Sequence, residues 1–168
     1  MTKGATPIPP EASAFREGMS RLGAAVNLVT TDGPAGRHGL TVSAVCSVTD
    51  SPPTLLVCIN RNAFAHDAFI ANGVLSVNVL CDSHQNLSMS FARWTGEDRF
   101  GQALWEVRAS GAPCLADASV SFDCRIADVH QHGTHSVLYC EVVDTRVRAG
   151  QPAGLIWFHR NFHPLEAC

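Results

Sequence analysis

The spacing of apolar positions along this chain starts helical and then becomes strand-like. Over residues 11–22, Phe15, Met19 and Leu22 fall at i, i+4 and i+7, which predicts one face of a short amphipathic helix, with Pro10 placed for its first turn. The period then shortens. Residues 25–31, 39–48 and 54–60 are rich in β-branched side chains and are parted by Asp32-Gly33-Pro34 and Ser51-Pro52-Pro53, so they predict successive strands. Residues 63–71 predict a helix closed by Asn72-Gly73, residues 74–80 a nearly continuous apolar strand, and residues 85–93 a further helix. Beyond a loop over 94–101, strands are expected at 103–107, 119–130, 136–148 and 155–160.

So many strands with only two or three helices do not make the alternating βα pattern of a doubly wound sheet. The expected fold is mainly β, a Greek-key β-barrel with a few helices, because closure would remove the exposed edges that apolar strands otherwise offer to aggregation. At 168 residues the chain is about one ordinary domain. Residues 1–10 are expected to be a flexible leader and 11–168 the folded domain. No apolar run approaches the ~20 residues that a membrane span requires, and residues 1–10 hold no apolar signal core, which points to the cytoplasm.

Charge narrows the function. A formal net charge of -3 with no basic stripe argues against nucleic acid as a partner. Lys3 is the only lysine, so Schiff-base chemistry has no candidate. The seven cysteines, Cys46, Cys58, Cys81, Cys114, Cys124, Cys140 and Cys168, form no C-x-x-C pair, and they read as inert core thiols in a reducing compartment.

Three segments carry candidate chemistry. In residues 39–47, small and hydroxyl side chains occupy positions that a buried strand normally fills with larger ones; Thr41 and Ser43 could offer hydroxyls and amides to a ligand, or simply face water from an ordinary strand. Asn60-Arg61-Asn62 ends an apolar strand just before a helix start, where it can bind an anion through Arg61 or merely cap and turn the chain. His130, His132 and His135 lie close in sequence, but no carboxylate or thiolate at a ligand spacing completes a metal set, so no metal is expected. His135, directly after Gly133-Thr134, is a candidate ligand contact or a structural side chain. There is no G-x-S-x-G elbow, no Walker lysine, and Gly33, Gly36 and Gly39 do not have Rossmann spacing.

Several of these segments resemble one family. Residues 15–31, 39–60, Val77-Asn78-Val79-Leu80, Gly133-Thr134-His135 and residues 155–164 are similar, in order and over roughly residues 15–165, to the short-chain flavin reductases of two-component monooxygenases. Within that family the nearest likenesses are the reductases of pyrimidine utilisation and of 4-hydroxyphenylacetate 3-monooxygenase. The resemblance implies an FMN-binding split barrel, a homodimer with flavin beside the subunit interface, NAD(P)H-dependent reduction of FMN or FAD with NADH preferred, and a flavin-dependent monooxygenase as partner. It implies that Thr41, Val42, Ser43, Ala44 and Val45 line the isoalloxazine and that Asn60 and Arg61 follow the ribityl-phosphate chain. Phe91, Ala92 and Arg93 would close over the phosphate end. His135 would orient the nicotinamide without acid-base work, and Phe158, His159, Arg160 and Phe162 would shape the dinucleotide side. One departure is visible: where many relatives carry serine or threonine for the flavin phosphate, this chain has Ala63-Phe64-Ala65. Alternative readings on the same barrel are a flavin-binding module without catalysis and a flavin-dependent reductase of another acceptor, such as a corrinoid.

Overall fold

The computed structural model describes residues 10–93, 98–150 and 152–166; the residues at 94–97, Cys168 and nearly all of the expected leader lie outside them. Helix α1 (Pro10–Ser20) starts at Pro10, whose missing amide costs nothing in a first turn. Its apolar face is not packed away: Phe15 and Met19 are exposed, as is Leu22 just beyond, and Ser20 is the buried residue of the helix. The body of the protein meets only the end of α1, which is why the amphipathic pattern does not become core.

The strands are β1 (Ala24–Ala25), β2 (Asn27–Thr31), β3 (His38–Val42), β4 (Val45–Asp50), β5 (Pro53–Asn60), β6 (Val74–Val79), β7 (Trp105–Val107), β8 (Pro113–Leu115), β9 (Val120–His132), β10 (His135–Val147), β11 (Gly154–Phe158) and β12 (Asn161–Leu165), with helices α2 (His66–Asn72) and α3 (Gln85–Ala92) between them. Helix α2 is shorter than its pattern predicts, because residues 60–65 are spent on turns in which Ala63 N donates to Asn60 O and His66 N to Ala63 O. It stops where expected: Gly73, at φ 68°, donates its amide to Phe69 O.

Seven strands form one antiparallel sheet in the order β3-β2-β6-β9-β10-β5-β4. The long β9–β10 hairpin sits at its centre, and the consecutive strands β5 and β6 lie on opposite sides of it, as a Greek key requires. The strand expected over 39–48 is two strands, and they are the two edges of the sheet. Full closure is therefore not made among the described residues; the chain steps from one edge to the other through Ser43 and Ala44. The reason is local. Val45 N turns back to Ser43 O at 3.0 Å, and Ala44 O accepts from Cys58 N at 3.0 Å, so the link belongs to β5 rather than to a β3–β4 hairpin. The barrel is split at that corner.

Period-2 alternation builds the interior. Along β5, Leu55, Val57 and Ile59 are buried and join Val29, Phe69, Leu75, Val77 and Leu138 in the barrel core, while Leu56 and Cys58 face outward. A second core, with Val26, Leu28, Leu87, Phe91, Leu115 and Leu155, is closed by α3 and by the three-stranded sheet β1-β11-β12. Strands β8 and β12 had no predicted counterpart. The buried Asn78 binds the two layers: its amide donates to Leu28 O (2.9 Å) and Thr30 Oγ1 (3.2 Å), and its carbonyl accepts from Leu115 N (2.7 Å) and Ser121 Oγ (2.9 Å).

Candidate functional site

At the corner of the split barrel, Ser43 and Ala44 are exposed and carry almost no side chain. Among the described residues their amides donate to no protein group, which leaves two main-chain donors on exposed residues. Beside them stands Trp157 of β11, a residue the sequence reading passed over in favour of its neighbour Phe158. Trp157 pairs in register with Phe162 of β12, the rings meeting edge-on at 4.9 Å. A cleft of about 320 Å³ lies between Thr41, Ser43, Ala92, Arg93, Trp157 and Phe162. A broader one of about 770 Å³ continues on the other side of Ser43 and Trp157, past Ala44, Val45 and Arg160 to helix α1. Two of the expected contributions are changed by this geometry. The Thr41 hydroxyl is not a free donor, because it donates to Ser88 O at 2.6 Å, and the Val42 side chain points into the barrel core at 6% exposure, so it offers only main chain.

A recess of about 150 Å³ adjoins Thr41 and Ala92 and is walled by Gly39, Ala63, Phe64, Ala65 and Arg99. Arg99 is 6% exposed, and its guanidinium lies 4.7 Å above the Phe91 ring. Burial holds its pKa below that of an ordinary arginine, yet a guanidinium stays charged, so a cation borders a recess whose 63–65 wall has no hydroxyl. Nothing periodic marks an arginine in a loop, which is why sequence reasoning missed it. Phe91 is a core ring, 2% exposed and edge-on to Phe100 at 5.1 Å, so it backs the recess instead of closing over it; Ala92 and Arg93 are the exposed pair. A Cβ on Gly39 would lie 2.9 Å from Phe91 Cε1, which explains the glycine.

Asn60, Arg61 and His135 form a separate exposed group. Asn60 and His135 are register partners on β5 and β10, Arg61 N donates to Thr134 O at 2.9 Å, and His135 Nδ1 lies 2.9 Å from Thr134 Oγ1. None of the three lines the clefts at Ser43 and Trp157. On the β11–β12 hairpin, His159 (φ 48°) and Arg160 (φ 61°) both take the left-handed conformation that a two-residue type I′ turn needs, at roughly 1–2 kcal/mol for each non-glycine residue. The turn is clasped to α1: His159 N donates to Ser20 O at 2.6 Å, and Arg160 Nη2 lies 2.9 Å from Glu17 Oε2. The ring of Phe158 meets His159 edge-on at 4.6 Å.

His130 is paired with Asp128 Oδ2 at 2.9 Å, and among the described residues no cluster of three or more His, Cys, Asp or Glu has the arrangement of a metal site. The cysteines need one correction. Cys81, Cys114, Cys124 and Cys140 are buried as expected, but Cys46 is exposed on edge strand β4 and Cys58 is half-buried beside it. No helix among the described residues is long and apolar enough to cross a membrane.

A split barrel with exposed main chain at its corner, aromatic walls beside it and a buried cation at one end has the shape and charge to receive a flat, anionic ligand. Residues 19–166 match the family described as "Flavin reductase like domain", and the chain belongs to that family. It is 52% identical over 168 residues to a protein of Variovorax paradoxus (strain S110) named "FMN reductase (NADH) RutF", covering 99% of this chain and 92% of the relative. Among solved structures it superposes at TM-score 0.86 on the NADH:FAD oxidoreductase SgcE6 of Streptomyces globisporus C-1027, with 25% identity, 97% of this chain and 99% of the other covered. It superposes equally, at TM-score 0.86 with 25% identity over 94% of this chain and 99% of the other, on BorF, the flavin reductase component of a bacterial two-component tryptophan halogenase.

Proposed function

We propose that this chain is an NADH-dependent reductase of FMN that supplies reduced flavin to a flavin-dependent monooxygenase in the cytoplasm, acting as a homodimer. The observation that carries the reading is the corner at Ser43 and Ala44: two amides on small, exposed residues, flanked by Trp157, where a planar heterocycle can hydrogen-bond to main chain and stack without a side chain in its way. The relatives named FMN reductase (NADH) support the choice of flavin and reductant. The exposed Phe15, Met19, Leu22 and Val48 support a second copy covering this face.

A bound flavin supplies the hydride acceptor. The protein's own task is placement and exclusion of water, and no acid-base residue is needed. Ser43 and Ala44 would hold the ring edge, Trp157 and Phe162 would keep water from one side, and Arg99 with the 63–65 wall would hold the phosphate. Asn60 and Arg61 would follow the ribityl-phosphate chain, His135 beside them would orient the nicotinamide, and the His159-Arg160 turn, braced by Glu17, would shape the dinucleotide side with Phe158 and Phe162. The test is steady-state NADH oxidation with added FMN. His135→Ala is expected to raise KM for NADH while leaving FMN affinity unchanged, and unaltered NADH parameters would remove His135 from that role.

A further inference from the structure

His66 is a buried histidine that the proposed reaction does not use. It opens α2, is 6% exposed, and its ring nitrogens reach two groups: Nδ1 lies 2.7 Å from Asp67 Oδ1 and Nε2 lies 2.9 Å from Ser136 Oγ. A carboxylate oxygen only accepts, so in the neutral ring Nδ1 carries the proton and Nε2 accepts from the Ser136 hydroxyl. The set has the spacing of a nucleophile, base and orienter, and a cavity of about 310 Å³ adjoins it. Hydrolysis is nonetheless closed to it, because Ser136 is 0% exposed and no substrate carbonyl can approach its oxygen.

Its place in the chain gives it another role. Ser136 directly follows His135, and His66 ends the loop of residues 60–65 that begins at Asn60 and Arg61. That loop is pinned to the β9–β10 hairpin at two points. At one, Arg61 N donates to Thr134 O at 2.9 Å; at the other is the bond between His66 and Ser136. Between the pins it is held by its own turns, Ala63 N to Asn60 O and Asn62 N to Asn60 Oδ1, both at 2.9 Å. The same loop contributes Ala63, Phe64 and Ala65 to the wall of the Arg99 recess. Loss of the second pin frees that wall without removing any group from it.

We propose that His66 and Ser136 are positioning residues for the flavin: their buried hydrogen bond fixes the 60–65 loop against β10 and so holds the recess wall opposite Arg99. The inference rests on the flavin reductase reading. It acts on flavin binding and leaves hydride transfer alone, and that separates it from a general effect on folding.

The experiment is an FMN titration followed by fluorescence quenching, with kcat for NADH oxidation measured at saturating FMN. His66→Phe fills the space and cannot accept a hydrogen bond; its Kd for FMN is expected to rise about tenfold, with kcat within about twofold of the unaltered protein. Ser136→Ala should do the same, and the double variant should be no weaker than either single one, since both remove one shared bond. His66→Gln, whose amide can reach Ser136, should restore most of the affinity. Asp123→Ala, which removes the buried acceptor of Ser110 N and alters no residue that lines the clefts or the recess, should lower Tm with Kd for FMN unchanged. If His66→Phe does not fold, Ser136→Ala decides alone. An unchanged Kd in the folded variants, a fall in kcat at constant Kd, or an equal loss of affinity in Asp123→Ala overturns the proposal. A starting protein that neither binds FMN nor oxidises NADH overturns the reductase reading itself.

Discussion

Replacing Arg99 with methionine separates the phosphate from the rest of the flavin. Methionine keeps much of the side-chain volume above Phe91 and removes the charge. At 6% exposure the guanidinium is little screened by salt, so an ionic hydrogen bond from it to a phosphate should contribute about 1.5–3 kcal/mol. At 1.4 kcal/mol per factor of ten, Arg99→Met should weaken FMN roughly 10- to 150-fold. Riboflavin has the same ring and no phosphate, so its affinity should not change. The lost cation–π contact with Phe91, at 4.7 Å, is worth about 0.5–2 kcal/mol and falls on stability, not on the ratio between the two ligands. The assay is paired fluorescence titration of FMN and riboflavin against both proteins. Equal weakening of the two flavins, or no loss for FMN, would refute the reasoning that this recess binds the phosphate.

Three further outcomes follow from the geometry. Asn78→Leu orphans Leu115 N and removes the nearer acceptor of Ser121 Oγ, at about 1–3 kcal/mol each, so stability should fall by about 2–5 kcal/mol and Tm by roughly 5–15 °C; a calorimetric shift under about 3 °C would contradict the hub. Burial pushes the Cys140 thiol up to about 12 and the Cys124 thiol well above its ordinary value, so mild alkylation of the native protein should spare Cys81, Cys114, Cys124 and Cys140 until denaturation, as read by peptide mass spectrometry. Arg160, through a hydrogen bond and its charge, holds the Glu17 carboxyl below its ordinary 4.5. The clasp between α1 and the hairpin is therefore complete above that value and is lost as pH falls through the lower folded one, so amide exchange at His159 should accelerate in that acid window while the barrel amides stay protected.

The parts of the fold legible in the sequence are those whose pattern and burial agree. Strand β5 alternates Leu55, Val57 and Ile59 inward with Leu56 and Cys58 outward, and α2 stops at Asn72-Gly73 because only a left-handed residue continues the chain there. The split at Ser43 and Ala44 was hidden because residues 39–48 form one unbroken run of strand-forming side chains; a tertiary bond from Cys58 N to Ala44 O divides it. Strand β12 carries Pro164 and follows a His-Arg turn, where Asn-Gly would have signalled a hairpin. Proline is accommodated because β12 is an edge strand. For the proposed site, the run of small residues at 41–45 falls at the split corner, whereas Trp157 and Arg99 reach the clefts there from segments far away in sequence, so no local pattern announced them.

Mixing the purified protein with FMN and NADH under anaerobic conditions decides whether this chain reduces flavin. Catalysed bleaching of the flavin absorbance band is expected at a rate proportional to protein concentration, and it should be lost when Ser43 and Ala44 are both replaced by bulky residues such as leucine that cover their amides. Bleaching no faster than the reaction without protein, or undiminished in that double variant, would contradict flavin reduction at that corner.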